Sequence, residues 1–256
     1  MMKLATWNVN SLKVRLPHIL DWLQLQQPDV LCLQETKLED VNFPQQAIIA
    51  AGYQVVYCGQ KTYNGVAIIS RLPLLDVVFG IPGWGDAQQR VIAATVDGVR
   101  IVCVYVPNGQ SLDSDKYHYK LAWLQALTAY LATSLQQYPK LAVLGDYNIA
   151  PTDHDVYDIA AWGAGVLVSA PERAAFGQLL ALGLTDSFSL FGHANPVYTW
   201  WDYRMAAFRR NMGLRIDHIL LSAALAGSCT DWMVDKIPRK LERPSDHAPV
   251  IVKCQP

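Results

Sequence analysis

Carboxylates, carboxamides and one imidazole recur in this chain at the ends of short apolar runs. They stand in Trp7-Asn8, Leu33-Gln34-Glu35, Leu144-Gly145-Asp146-Tyr147-Asn148, Ile216-Asp217 and Ser245-Asp246-His247. If those ends converge, they gather four carboxylates, three carboxamides and one imidazole. Like charges that close cannot all stay ionised unless a cation neutralises them. An oxygen-rich, thiol-free donor set suits Mg²⁺ or Mn²⁺ rather than zinc. Singly, each motif has a plainer reading. Gly145-Asp146-Tyr147-Asn148 fits a turn with an Asx cap, Asp246-His247 fits a surface turn before Pro249, and Glu35 fits an exposed carboxylate at a strand exit. Their shared placement favours chemistry.

The elements that must position these residues follow from hydrophobic periodicity. Residues 3–8 read as a short buried strand, and Leu16, Ile19, Leu20 and Leu23 follow at helical spacing until Gln27-Pro28-Asp29. Val30–Leu33 is a second strand. Further strands are expected at Tyr53–Tyr57, Gly65–Ile69, Leu75–Phe79, Val91–Val96 and Val99–Val106, with a hairpin at Asp97-Gly98. A long helix spans about 115–137, with Leu121, Leu124, Leu127 or Thr128, Leu131 and Leu135 on one face. Leu141–Leu144 is another strand, 149–170 a long loop region with room for a short helical turn, and Pro171–Leu182 a helix. Trp200-Trp201 lies on a strand or its exit, and Leu214–Leu221 and Ala248–Lys253 are the last strands. No repeat or flexible linker divides the chain, so residues 1–256 read as one domain. The expected class is α/β, with two mixed sheets packed face to face and helices outside.

Composition narrows the function. Hydrophobic residues make up 52% and charged residues 17%, so most of the chain should pack. No apolar run approaches the ~18 residues that cross a bilayer, and the N-terminus lacks a secretory signal pattern. Five widely spaced cysteines without a C-x-x-C pair support neither a disulfide framework nor a zinc ribbon, and the cytoplasm is the expected location. A net charge of −1 argues against a protein that coats nucleic acid indiscriminately. Arg204, Arg209, Arg210, Arg215, Lys236, Arg239, Lys240 and Arg243 nevertheless crowd one stretch, as a phosphate-facing patch or a solvated surface.

Two long segments carry a resemblance. Residues 28–37, PDVLCLQETK, and 211–222, NMGLRIDHILLS, resemble the first and last signatures of the exonuclease III family of DNA-repair nucleases. Trp7-Asn8-Val9-Asn10, Tyr105-Val106-Pro107-Asn108, Gly145-Asp146-Tyr147-Asn148, Tyr198–Tyr203 and Ser245–Pro249 fall in the family order. The resemblance implies the four-layered α/β sandwich of the endonuclease/exonuclease/phosphatase superfamily. It implies a metal set of Asn8, Glu35, Asp146, Asn148, Asp246 and His247, with Glu35 the principal ligand. Asp146 and Asn148 would serve the attacking water and the phosphoryl oxygens, or a second metal position. His247 would contact the scissile phosphate, oriented by Asp217, with Tyr105 at the same phosphate or assisting proton transfer. Asn108, Trp200, Arg204, Arg209 and Leu214 would meet DNA, with Trp200, Trp201 and Leu214 forming an apolar pocket; one tryptophan has plain core packing as its alternative.

The chemistry is sensible without the family. Phosphodiester hydrolysis needs an activated water, neutralised non-bridging oxygens and help for the leaving alkoxide. An ionised Asp146 is acceptor-only and can orient and deprotonate water. A carboxylate at Asp217 would favour an imidazolium at His247.

Three departures from the family touch substrate preference. Asp186-Ser187-Phe188-Ser189-Leu190 lacks two basic residues, Asn10 stands where some relatives carry an acid, and Ser111 where some carry an arginine. Tyr157, with His154 a turn earlier, stands where abasic-cleaving relatives carry a small residue. Its bulk would favour 3′-end processing, or it packs within its own loop. The expected partner is duplex DNA with 3′ ends or abasic sites, no membrane is involved, and a monomer is expected. The rival readings are a non-catalytic nucleic-acid-binding regulator similar to the catabolite repression control proteins, and a phosphatase for a phospholipid or inositol phosphate.

Overall fold

The computed structural model describes residues 1–256. Strand β1 (Met2–Asn8) leads into helix α1 (Leu12–Gln26) and back to β2 (Val30–Gln34). The helix buries Leu12, Ile19, Trp22 and Leu23 and ends at Gln27 in left-handed backbone, whose N–H donates to the Leu23 carbonyl. Helix α2 (Gln45–Ala50) precedes β3 (Gln54–Cys58), β4 (Val66–Ser70), β5 (Leu75–Phe79), β6 (Val91–Val96) and β7 (Val99–Tyr105). Asp97 and Gly98 both take positive φ, the two-residue hairpin turn between β6 and β7. Helix α3 (Asp115–Gln137) is capped by the Ser114 side chain and feeds β8 (Leu141–Asp146). Then come α4 (Ile159–Trp162), α5 (Ala170–Ala181), β9 (Leu184–Asp186), β10 (Asp217–Ser222), α6 (Ala223–Ala226), β11 (Cys229–Val234) and β12 (Val250–Cys254).

The strands form two six-stranded sheets, ordered β11-β12-β1-β2-β4-β3 and β5-β6-β7-β8-β10-β9. Each is mixed: β1 is parallel to β2 and β7 to β8, and the other pairs are antiparallel. Alternation decides which side each residue meets. Leu4 and Cys32 of one sheet meet Ile101, Leu144 and Ile219 of the other in the central core. Their neighbours Ala5, Trp7, Leu31 and Leu33 pack outward with α1 residues, and Val102, Val104 and Val143 pack outward under Trp123, Leu127 and Leu131 of α3. That gives the expected four layers.

Four elements were not expected: α2, β9, α6 and β11. Strand β11 has an exposed Thr230 and Met233 and a half-buried Asp231, so it shows no apolar run. The last-but-two strand begins at Asp217 rather than Leu214, because Leu214 bridges Trp200 and Val156 instead.

Topology brings the chemistry to one end of the sandwich. Asn8 and Asp146 end β1 and β8, Tyr105 ends β7, and Glu35 follows β2. Asp217 begins β10, directly opposite Asp146 in the antiparallel register. His247 bridges Trp200 just ahead of β12.

Candidate active site

Gly145 explains why β8 delivers Asp146 where it does. A Cβ there would lie 1.9 Å from the Val104 carbonyl oxygen, so only glycine lets β8 run against β7. Glu35 stands in left-handed backbone (φ 53°), held by hydrogen bonds from Ser11 N to Glu35 O and from Thr36 N to Gly65 O. Gly65 has φ +90° and a Cβ on it would sit 2.1 Å from Thr36 Oγ1, so that turn too requires glycine. Asn10 and Asn148 also have positive φ. Non-glycine residues in this region cost energy and concentrate at functional sites.

Asp146, Asp217 and His247 are almost wholly buried. His247 Nδ1 donates to Asp217 Oδ2 at 2.9 Å, and its Nε2 faces Asp146 Oδ2 at 3.8 Å. Asn8 Nδ2 donates to Glu35 Oε1 and to Asp146 Oδ2, both at 2.9 Å, so one amide ties two carboxylates together. Asn148 donates to Asp146 through its backbone N–H at 2.8 Å and its Nδ2 at 3.3 Å, while its Oδ1 accepts from Asn108. Asn148 therefore orients Asp146. Tyr105 lies beside Glu35 and Asp146. Burial and those two carboxylates raise its phenol well above its ordinary range, while the Arg90 guanidinium stacked 4.7 Å from its ring opposes the shift.

Burial raises Asp146, and Asp217 adds to the shift against His247, pushing the carboxyl up to about 7. Burial alone would lower His247, but Asp217, Asp146 and Asp246 outweigh it and push the imidazole up to about 10. In the metal-free protein these carboxylates thus favour the charged imidazolium at His247. The stabilisation this gives is complete below about pH 6.5 and is lost as pH rises through about 10. An NMR titration of the metal-free protein should show a His247 midpoint near 10, and Asp217→Asn should lower it. A midpoint at 6.5 in the unaltered chain would remove the cation from the site.

Ligand atoms of Glu35, Asp146 and His247 lie within 4.8 Å of one another, an arrangement that can hold a metal ion. The donor set fits a hard cation, because its carboxylates are hard oxygen donors and one of them is driven toward its neutral form by uncompensated burial. Asp246 lies outside this group. Its two oxygens accept from Asn10 Nδ2 and Trp200 Nε1, each at 2.9 Å. Burial alone would raise Asp246, but His247 and these two donors hold it below its ordinary value.

The surroundings correct several expectations. Leu214 is fully buried and offers DNA no surface, and Trp201 is the tryptophan that takes the core-packing alternative. Trp200 is partly exposed and lines a cavity of about 220 Å³ with Tyr157, Trp162, Arg204, Met205 and Met212. His154 is exposed but lines a different cavity, beside Phe176 and Phe188. Arg215 is not a phosphate contact: it is buried, 2.6 Å from Asp155 and 2.7 Å from Asp186. Arg239 is buried against Phe208. The exposed basic residues of that stretch are Arg204, Arg209, Arg210, Lys240 and Arg243, with Arg204 paired to Asp202.

Sequence reasoning missed two lysines. Lys37 Nζ lies 2.7 Å from Glu35 Oε2 and 2.5 Å from Asn10 Oδ1, inside a quoted signature whose Glu35 alone drew attention. Lys120 is wholly buried, pairs with Glu172 and donates to the carbonyls of Asn108 (3.1 Å) and Asn148 (2.7 Å). Its signal was a lysine on the buried stripe of α3 with Tyr117, Leu124, Leu127 and Leu131.

Two stacked mixed sheets with an imidazolium between carboxylates at their joined ends define a phosphate-hydrolysing enzyme. The chain belongs to the endonuclease/exonuclease/phosphatase family, whose model matches residues 5–247. It is 36% identical to exodeoxyribonuclease III of Haemophilus influenzae over 97% of this chain and 98% of that one. It is similar to a solved 3′ phosphatase from Neisseria bound to a product DNA hairpin, with 50% identity, TM-score 0.98 and all of both chains covered. It is also similar to an AP endonuclease from Archaeoglobus fulgidus, with 38% identity, TM-score 0.96 and all of both chains covered.

Proposed function

We propose that this chain is a Mg²⁺- or Mn²⁺-dependent DNA-repair nuclease that acts on 3′ ends of duplex DNA. It would work as a 3′–5′ exonuclease and 3′-phosphatase, with abasic-site incision the lesser activity. The observation that carries this reading is the buried Asp217–His247–Asp146 array beside Glu35. Among relatives, the Neisseria protein is a 3′ phosphatase.

Each residue has a task. Glu35, with the Asp146 carboxylate adjacent, would hold the cation, which would supply charge against the phosphoryl oxygens; His247, protonated on both ring nitrogens, has no lone pair to offer it. Asp146 orients and deprotonates the attacking water, and Asn148 and Asn8 fix its carboxylate. His247, kept charged by Asp217, donates to a phosphoryl oxygen as negative charge builds there. The Tyr105 phenol, kept protonated, can donate at the same phosphate. Asn108, Trp200, Arg204 and Arg209 would face DNA, held mainly through its backbone. We further propose that residues 1–256 act as one domain, as a monomer, in the cytoplasm. A non-catalytic regulator would not need this complete array, and the nuclease relatives disfavour a lipid phosphatase.

Substrate preference is assigned to Tyr157, which walls the cavity beside the site with Trp162 and Trp200. Incision at an internal abasic site requires a sugar to swing out of a continuous helix, and bulk here resists that path. A free 3′ end needs less deformation, and an aromatic ring can stack on its last base pair. The test compares duplexes carrying an internal abasic analogue, a 3′-phosphate or an unmodified recessed 3′ end. Tyr157→Gly should raise abasic incision relative to 3′-end removal. Strong abasic incision by the unaltered chain, or an unchanged ratio in the variant, would overturn the preference.

A further inference from the structure

Cys229 and Cys254 are 25 residues apart in sequence, yet they stand directly opposite each other on β11 and β12. Their sulfur atoms lie 2.8 Å apart, and both are free thiols. Directly opposed residues of antiparallel strands have Cα separations of about 4.5–5.5 Å. A disulfide spans about 4.4–6.8 Å, so the paired register and the close sulfurs suit a link, beside the irregularity of the ladder between Cys229 and Asp231. We propose that this pair is an oxidation site, which a hydroperoxide closes to an intrachain disulfide and a thiol reductant reopens.

The two sulfurs have different tasks. Cys229 is half-exposed on the edge strand, whereas Cys254 is buried. The contact with Cys254 lowers the Cys229 pKa, against the opposing effect of its burial, and so favours the attacking thiolate. That thiolate attacks the terminal peroxide oxygen. The O–O bond breaks, Cys229 becomes a sulfenic acid, and the departing oxygen leaves with a proton as water or alcohol. The Cys254 sulfur then attacks the sulfenic sulfur, the S–S bond forms, and the hydroxyl leaves as water with the Cys254 proton. Two thiols lose two electrons and the peroxide gains them.

Cys32 and Cys103 provide an internal comparison. They also meet, but both are fully buried between the sheets, out of reach of an oxidant in solution. The Cys229–Cys254 link would enclose the segment carrying Asp246 and His247. It would lie at the far end of β12 from those residues. It should therefore restrain the unfolded chain and leave the site geometry alone.

The test treats the full chain with limiting hydrogen peroxide, then denatures and alkylates it before intact-mass and non-reducing peptide mapping. Two of the five thiols should escape alkylation, a Cys229–Cys254 peptide should form, and dithiothreitol should restore all five. The oxidised protein should melt about 5 °C higher than the reduced one, with unchanged turnover at 3′ ends, and Cys229→Ser should show no such rise. Five alkylated thiols after peroxide, a sulfinic acid at Cys229 without a crosslink, or a link through Cys32 and Cys103 would each overturn the proposal.

Discussion

Asp146→Asn should lower turnover on a 3′-phosphorylated duplex by about 10²–10⁴-fold, the range of a lost general base, while the protein melts no earlier than the unaltered chain. The carboxylate is buried, and burial together with Asp217 pushes it up to about 7. An amide of the same shape removes one buried negative charge beside Asp217; Asn148 N donates to Oδ1 and Asn8 Nδ2 to Oδ2, so the amide keeps an oxygen for one of these two donors. What it loses is the capacity to take a proton from water. His247→Ala should cost comparable turnover but should behave differently in a melt. Its removal leaves Asp217 and Asp146 buried without their cation, and breaking such an array costs about 3 kcal/mol or more. Neither residue lies on the exposed basic surface, so duplex affinity should persist in both. Single-turnover rates, a thermal melt and a binding isotherm check these outcomes together. Near-normal turnover in Asp146→Asn would take the general-base role from this residue.

The site was legible in sequence where an apolar run stops at a polar side chain. Asn8, Asp146 and Asp217 end or begin buried strands and Glu35 follows one, because a strand leaving the core must place its next side chain at the mouth of the sandwich. Gly145 looked like a turn residue and proves to be a strand residue that must lack a Cβ. The basic stretch after residue 204 was misread at Arg215 because linear charge says nothing about burial. Its partners Asp155 and Asp186 lie 60 and 29 residues away. Leu214 was misread for the same reason, since the chain turns it inward to bridge Trp200 and Val156. Asp246 was legible as a residue at the site, but its hydrogen bonds from Asn10 and Trp200 come from residues 236 and 46 positions away and only the tertiary structure shows them. Strand β11 escaped because an edge strand with one solvated face carries too few apolar residues to announce itself.

Chelation should remove activity by at least about 10³-fold, matching the several kcal/mol a metal supplies to phosphoryl transfer. The argument is electrostatic. Of Glu35, Asp146, Asp217 and Asp246, Glu35 pairs directly with Lys37 and Asp217 with His247, while Lys120 and Arg239 act on Asp146 and Asp246 without a direct ion pair. A substrate phosphate adds further negative charge to a centre already short of cations. Mg²⁺ or Mn²⁺ should restore turnover, and either ion should raise the melting temperature of the chelated protein, because a ligand bound only by the folded state stabilises it. Glu35→Gln should abolish both the recovery and the thermal shift. Asp246→Asn should keep most of the thermal shift, since Asp246 stands outside the cluster of Glu35, Asp146 and His247. A lost shift in Asp246→Asn would return that carboxylate to the ligand set. Full activity in EDTA would end the metal-dependent reading altogether.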